Sequence, residues 1–511
     1  MLAISQVKRI NILATDNGNL DEVNYPGATI LLGNVVVEHE GVTMRSKKAI
    51  LYKDRNFIIA LGDVLFNQGD TITQTSNYVE YDGNTKKAKS WGNVVLKDPT
   101  MTLTTDTLFF NRTQQLLNYR SGATIRDTTN VLVSRVGNYF LKTKKFQALS
   151  EVVLTNPDYV LASDHLDYYT SNGHAYLKGP STITGEETFI YTENGFYDTK
   201  KDISHFLKPS KIVYQGREIS ADSMYYNRKL GFASAVNNIK MTDTANSSVI
   251  RGNYAEVFQK LDSAFVVNSP VAVTEIEKDS MYIHGDTLLV TGSPEERIIR
   301  AFHHVKFFKS DLSGKCDSIY ANQKTGLTKM FEKPVIWSEE NQVSGDTIHF
   351  LANTSTEKLD SLKVLNNAFI MQKDSVGHLN QIKGRTIYGK FIENELDNVL
   401  VVGNAEVIFF IQDDKKNELF GINKRSSSSI RFRFKAGKIQ TFTFYVSPEG
   451  TTYPPSQLPE AERKFPGAIW RIDEKPMTVD DIFTWKTAAE LAAPPLDSTH
   501  KTTVQKNNES P

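Results

Sequence analysis

Leu103-Thr-Thr-Asp-Thr-Leu-Phe-Phe110 decides the fold of this chain. It reads apolar, any, small, Asp or Asn, any, apolar, any, large apolar. The same order returns as Leu161-Ala-Ser-Asp-His-Leu-Asp-Tyr168, Ile219-Ser-Ala-Asp-Ser-Met-Tyr-Tyr226, Ile283-His-Gly-Asp-Thr-Leu-Leu-Val290 and Val343-Ser-Gly-Asp-Thr-Ile-His-Phe350. Weaker copies fill the gaps. The polar slot falls at Lys47, Asn77, Asp106, Asn138, Asp164, Glu193, Asp222, Asn253, Asp286, Asp317, Asp346 and Arg385, and nine of these twelve are Asp or Asn. A fixed period of about thirty residues means stacked supersecondary units, none of which buries its apolar face alone.

Each repeat opens with a glycine and an alternating strand. Gly33-Asn-Val-Val-Val37, Gly62-Asp-Val-Leu-Phe66 and Gly92-Asn-Val-Val-Leu96 are spaced 29 and 30 residues apart, and Gly122-Ala-Thr-Ile125 continues the register. Val, Thr, Ile, Tyr and Phe dominate, as a pleated half-buried surface prefers. Turn chemistry such as Asp82-Gly83 and Asn172-Gly173 separates the strands. Nothing before residue 455 sustains a helical apolar period, so the repeat region reads as all-β.

Parity inside the motif adds a second constraint. Leu103 and Thr105 share one strand face, whereas Leu108 and Phe110 have the opposite parity. For all to face one interior, the strand must bulge or bend after the small residue. The polar residue then sits at the bend, with Asp106, Asp164, Asp222, Asp286, Asp317 and Asp346 expected as structural bend residues. Their carboxylates are placed to accept backbone N–H groups freed by the kink. Repetition folds a long ribbon into two facing sheets around one apolar groove. Val35, Val37, Val64, Phe66, Val94, Leu96, Leu103, Leu108 and Phe110 are the residues expected to line it.

The row of carboxylates does not read as a metal ladder. Lys47 and Arg385 stand in line with the acids, and the glycine-dense nonapeptides of calcium β-rolls are absent. No His-Glu-x-x-His spacing, Gly-x-Ser-x-Gly elbow or Walker loop occurs. His303-His304, placed just before a strand start, makes a poor chelating pair because strand neighbours point to opposite faces. The single cysteine, Cys316, excludes an intramolecular disulfide and occupies the small-residue slot of its repeat. These readings give no catalytic residue, no metal and no cofactor.

The chain has 511 residues with 59 basic and 59 acidic side chains. Zero net charge argues against a nucleic-acid partner. No apolar run of eighteen residues spans a membrane. The start has too short an apolar run for a signal peptide, with Lys8-Arg9 on the wrong side of it, so an export signal is expected upstream of the given start. The expected organisation is a lead-in at 1–32 with a first strand at 7–13, and a repeat array at 33–446 that holds one or more consecutive units. A proline-rich cap or docking segment at 447–487 and a disordered tail at 488–511 follow.

The Gly-Asn-Val strands, the small-Asp-x-apolar-x-aromatic strands and their alternation resemble the OstA-like proteins, the organic-solvent-tolerance group. The resemblance extends to the long OstA-like proteins of Bacteroidetes. Gly62-Asp-Val through Asn111 and Leu161 to Tyr168 carry the resemblance, and Gly421-Ile-Asn-Lys, Pro448 to Pro454 and Pro466-Gly-Ala-Ile-Trp470 look like that family's ending. The resemblance covers roughly residues 7 to 485. It implies a twisted β-jellyroll whose groove holds acyl chains of lipopolysaccharide or a similar amphiphile, without enzymatic activity. It also implies a periplasmic or outer-membrane-associated location, and end-to-end strand pairing with other OstA-fold transport proteins or with a second copy. The alternatives are a polysaccharide-acting β-solenoid enzyme and a structural envelope scaffold with a filled core.

Overall fold

Glycine followed by asparagine is suited to two consecutive residues in left-handed backbone space, and that pair sets the architecture. In the computed structural model, φ is 75° and 43° at Gly33-Asn34, 79° and 44° at Gly62-Asp63, and 75° and 53° at Gly92-Asn93. These pairs lie in the middle of the strands Thr29–His39, Phe57–Gln68 and Lys87–Asp98. On the neighbouring strand Met101–Asn111, Thr107 pairs with Trp91 and Thr105 with Val94, so Gly92 and Asn93 oppose Asp106 alone. Two residues against one make a bulge. The glycine strand keeps its parity, burying Ala88, Ser90, Val94 and Leu96, while the partner strand switches from Met101 and Leu103 to Leu108 and Phe110.

The structure describes residues 8–485 apart from 70–71, 215, 245–246, 277–278, 357, 394, 414–417 and 436–437. The tail expected at 488–511 lies outside the described residues. The chain forms two compact units, Met1–Ala264 and Phe265–Pro511. The described residues hold β-strands and short 3-10 turns but no α-helix. Among the described residues, no helix is long and apolar enough to cross a membrane.

In the first unit, the long strands pair antiparallel with their sequence neighbours. Because these strands are bent near their middle, one half joins one sheet and the other half joins a second sheet facing it. The hairpin turns form two rows. One row includes 39–42, 98–101, 156–159 and 185–188; the other includes 52–57, 82–87, 169–174 and 198–203. At residues 116–140 the bend breaks the strands outright, giving Leu116–Tyr119, Ala123–Arg126, Val131–Ser134 and Val136–Phe140. The pattern is already present in the lead-in. Asn11–Ala14 and Asn17–Leu20 pair with the two halves of Thr29–His39, and the N–H of Asp16 donates to the carbonyl of Gly33 between them.

The second unit uses the same device with longer strands, including Leu359–Lys373, Leu379–Ile392, Glu395–Asp413 and Glu418–Lys435. His303-His304 and Asn366-Asn367 supply left-handed pairs there. After the strand Glu449–Tyr453, the chain turns back and crosses successive strands of its own unit. Leu458, Phe465 and Ala468 bury against Phe369, Met371, Ile408, Phe410 and Ile422, with Trp470 at the edge. Two side-chain amides hold the segment's backbone. Gln381 donates to the Arg463 carbonyl and accepts the Phe465 N–H at 2.9 and 3.0 Å, and Gln342 donates to the Ile469 carbonyl and accepts the Arg471 N–H at 2.7 Å each. Further along, Lys315 pairs with Glu474 at 2.6 Å and sits 3.9 Å over the Trp485 ring.

Glu474 ties this returning segment down electrostatically. Burial raises its pKa, but hydrogen bonds from Arg471 and Lys315 outweigh that and push it down to about 2. A folded pKa below the ordinary value of 4.5 stabilises docking above that pH, and the contribution is lost as pH falls toward 2. The gap corresponds to on the order of 3 kcal/mol. Fluorescence of Trp470 and Trp485 should therefore report release of the segment on acidification through this window. Glu474→Gln should weaken docking at neutral pH and flatten the acid response; an unchanged acid response in the variant would assign the transition to another group.

Candidate functional site

The expected groove residues lie on the facing half-strands of the first unit. Val35, Val37, Val64, Phe66, Val94, Leu96 and Leu103 belong to one sheet, and Leu108 and Phe110 to the other. All nine are buried, with exposures of 0 to 3 %. Phe66 meets Phe110 edge-on at 6.1 Å and Tyr81 at 6.3 Å, ring centre to ring centre, across the interior. The space between the sheets at these positions is thus filled by side chains. Each large apolar side chain so buried contributes about 1.5–3 kcal/mol, which holds the two sheets face to face.

At the bends, five of the six expected carboxylates meet side chains. Asp222 accepts from the Asn238 amide at 2.6 Å, Asp346 from Asn367 at 3.1 Å, and Asp286 and Asp317 lie 2.9 and 3.3 Å from the Nδ1 atoms of His304 and His303. Asp106 accepts from Thr107 Oγ1 at 2.9 Å, and Asp164 is exposed. In the first four of these, the partner belongs to a left-handed pair on the adjacent strand. This explains one of the two basic members of the row: at Lys47 the left-handed partner is Asp63, and the charges are simply exchanged in a 2.5 Å ion pair. The slot expected at Asn138 is displaced. Asn138 lies within Val136–Phe140 and bonds Gln147, whereas the bend residue of that repeat is Arg135, whose N–H donates to the Ser150 carbonyl. Ser134, buried and donating to the Val136 carbonyl at 3.4 Å, fills the small slot of this repeat, and the polar slot therefore falls on the next residue, Arg135. His303-His304 likewise stands in mid-strand, in Ile298–Lys309, as a left-handed pair with φ of 58° and 52°.

Where the small residue before the polar slot is Ser or Thr, it is that residue which caps the kink. Ser46 donates to the Lys48 carbonyl at 3.0 Å, Ser76 to Tyr78 at 3.2 Å, Ser163 to His165 at 3.0 Å and Thr192 to Asn194 at 3.0 Å. Ser163 and Thr192 also accept the N–H groups of His165 and Asn194, each at 3.2 Å. Cross-strand partners complete the set, with Ser163 and Ser181 hydroxyls 2.8 Å apart, as are those of Thr192 and Ser210. Cys316 takes the same position in the second unit; its buried thiol, pushed up by burial, reaches the Ser318 carbonyl at 3.4 Å. The sequence signal for these caps was the recurrent Ser or Thr in the small slot, which pattern reading took only as a matter of size.

Opposite the bends, the two rows of turns of the first unit meet through polar contacts. Arg112 donates to the carbonyls of His39 and Glu40, and Lys86 pairs with Glu40 at 2.6 Å. Asp98, whose side chain is fully buried, accepts from Lys144 at 2.8 Å and from the Tyr139 hydroxyl at 2.5 Å. Tyr168 donates to Asp127 at 2.6 Å, and Arg228 to the Asp158 carbonyl at 2.8 Å. Burial raises the pKa values of Asp98 and Asp127, yet the donors prevail and hold both below the usual carboxylate value. The interior is therefore bounded by continuous backbone on one side and by side-chain contacts on the other. No cluster of metal-ligating residues occurs among the described residues.

Comparison with known proteins places residues 7–164 in the OstA-like protein family model. The LPS-assembly protein LptD of Acinetobacter baumannii is 29 % identical over 137 residues, which are 27 % of this chain and 14 % of that protein. This chain thus spans a small part of that relative. The crystal structure of LptH, described as the LptA-homologous periplasmic component of the lipopolysaccharide transport device of Pseudomonas aeruginosa, aligns with a TM-score of 0.20 and 17 % identity. The alignment covers 21 % of this chain and 76 % of that one.

The division of labour at the bends predicts an asymmetric mutational response. Ser163→Ala removes a buried cap with partners on two strands and should destabilise the protein by about 1–2 kcal/mol. Asp164→Ala, one residue away and exposed, should fall within about 0.5 kcal/mol of the parent. Urea denaturation of the two variants measures the difference, and equal effects would return the capping role to the carboxylate.

Proposed function

We infer that this chain, OstA-like over residues 7–164, is a non-enzymatic carrier in the bacterial envelope that holds the acyl chains of lipopolysaccharide or a similar amphiphile between its two sheets. The observation that supports this reading is the interior of the first unit. It is apolar along successive repeats and bounded on one side only by side-chain contacts between turns. Burying hydrocarbon gains about 0.8 kcal/mol per methylene, so several methylenes suffice to offset a few of these contacts. Repeats that resemble one another offer similar affinity at each step, which favours movement over trapping. Because Phe66, Phe110 and their neighbours fill the interior, occupancy requires the sheets to separate or these side chains to turn aside.

That filling also favours the second reading, a structural envelope scaffold with a closed core. A β-solenoid polysaccharide enzyme fits less well, since such solenoids are built from parallel strands and the strands here pair antiparallel. At the amino-terminal end, Asn11–Ala14 pairs through Ile12 with Val37 and is largely exposed. An exposed edge of this kind is a surface for strand addition by a partner of the same fold.

Carrier and scaffold differ in what reaches the interior. A photo-crosslinker at Val64 or Leu108 should capture lipid in cells, and one at exposed Lys97 should not. Equal capture at all three, or none at the buried pair, would favour the scaffold. Ile12→Pro should weaken association with a partner of the same fold by removing a ladder position. The remaining repeats should stay folded, because stability in such arrays is set by nearest neighbours. Sedimentation and crosslinking against the parent measure both outcomes.

A further inference from the structure

One outward face of the second unit is not neutral. Arg300 pairs across the ladder with Tyr320, Tyr320 with Lys329, Lys329 with His349, His349 with Lys363 and Lys363 with Tyr388. The row crosses the strands from Ile298–Lys309 to Leu379–Ile392, and Arg431 extends it beyond Leu400 on Glu418–Lys435. Ala301, Ile319, Met330, Ile348, Val364 and Ile387, adjacent along the same strands, are buried, so the row points away from the interior. The returning segment lies elsewhere. Lys315, Gln342 and Gln381, which hold it, stand on the other side of the bends at Asp317, Asp346 and Arg385.

No acid shares this face. The outward positions two residues before and after each member of the row hold no Asp or Glu; they include Phe302, Phe331 and Val402 on one side and Leu327, Leu351 and Arg433 on the other. Phe331, Leu351, Tyr388 and Val402 are exposed. Elsewhere, outward lysines sit beside carboxylates: Lys178 and Lys145 lie 2.9 and 3.5 Å from Asp167, Lys211 2.9 Å from Glu218 and Lys383 3.1 Å from Glu406. Around the row, ion pairs stand only at the margin, in Lys324 with Glu296, Lys358 with Glu393 and Lys390 with Asp360. A chain with 59 basic and 59 acidic side chains therefore gathers cations on one face.

Tyrosine rings, rather than acids, hold these cations. Arg300 lies 5.3 Å over the Tyr320 ring, Lys329 is 5.9 Å from the same ring, and Lys363 is 5.4 Å over Tyr388. Between Lys329 and Lys363, His349 is held below its ordinary pKa by burial and then by these two charges. Like charges kept in one row cost stability, a cost that an anionic partner offsets.

We propose that this face docks on an anionic phospholipid surface, where Arg300, Lys329, Lys363 and Arg431 meet headgroup phosphates and Phe331, Leu351 and Tyr388 enter the interfacial layer. Charge complementarity requires an anion, and the apolar flanks select its form. A nucleic acid or an acidic polysaccharide would neutralise the row yet leave the side chains on both sides of it in water. A bilayer surface accommodates both kinds of group. The docking face lies outside the interior of the second unit and is independent of the carrier reading.

The test is co-sedimentation of the full chain with vesicles of phosphatidylglycerol and phosphatidylethanolamine, beside vesicles of phosphatidylcholine. The chain should bind the anionic vesicles and not the zwitterionic ones, and binding should weaken as salt rises. Lys329→Gln and Lys363→Gln should each weaken it about fivefold, and Tyr388→Ser should weaken it while leaving its salt dependence as in the parent. Lys97→Gln, in the first unit, should bind as the parent does. Melting temperatures of the two lysine variants should match or exceed the parent's, since each removes a like charge beside His349, which separates loss of binding from loss of fold. Equal binding to both kinds of vesicle, binding to neither, or equal weakening by Lys97→Gln would overturn lipid docking. Retention on heparin without vesicle binding would overturn it as well and make the face a polyanion site. Lipid capture at Val64 and Leu108 reports on the carrier reading separately.

Discussion

Two left-handed residues opposed by one determine nearly everything else in this molecule. A strand that meets such a bulge turns sharply, and its partner changes face at the same point. Because the pairs recur at Gly33-Asn34, Gly62-Asp63, Gly92-Asn93, Asn237-Asn238 and Asn366-Asn367, neighbouring strands bend in step and form two sheets. Gly and Asn enter this conformation most easily, which is why they dominate. Ser150-Glu151 and His303-His304 adopt it as well, with each of these four residues at φ above 50°. They do so against their intrinsic preference, held by ladder pairing on both sides.

The bend also allocates the polar chemistry. The small residue opposite the pair points inward, where space is limited and water is excluded, and where it is Ser or Thr it satisfies the backbone beside it, as Ser163 and Thr192 do. The polar residue next to it points outward and is free to match whatever stands on the neighbouring strand. The row of acids consequently tolerates Lys47 once Asp63 faces it. A metal ladder would impose one charge sign along the row, whereas pairwise matching does not.

Each unit encloses its apolar interior in its own way. In the first, contacts between turns, such as Asp98 with Lys144 and Tyr168 with Asp127, bridge the side opposite the bends. In the second, the returning segment lays Phe465 and Ala468 onto apolar strand residues and fastens its backbone to Gln342 and Gln381. Contacts of the first kind consist of separate side-chain bonds that open one at a time. The second is a continuous stretch of chain whose release exposes a cluster of large apolar side chains at once, so it is the more cooperative closure.

The sequence by itself determined the repeat, the all-β class, the parity switch in Leu103–Phe110 and the inward set Val35 to Phe110, because alternation and turn chemistry act over a few residues and leave a period that can be read. It also determined that a bend occurs beside Asp106 and Asp222. Only the tertiary structure decided which residue caps each bend, that the slot near residue 138 belongs to Arg135, and that His303-His304 is a mid-strand pair. It alone decided the contacts between turns, the docking of Phe465 on Gln381, and the packing of Arg228 on the Tyr159 ring. These partners stand a repeat or more apart, and their meeting depends on how the ribbon twists and how its halves face one another. Periodicity fixes which side of the strand a residue occupies, but not which distant residue lies across the gap.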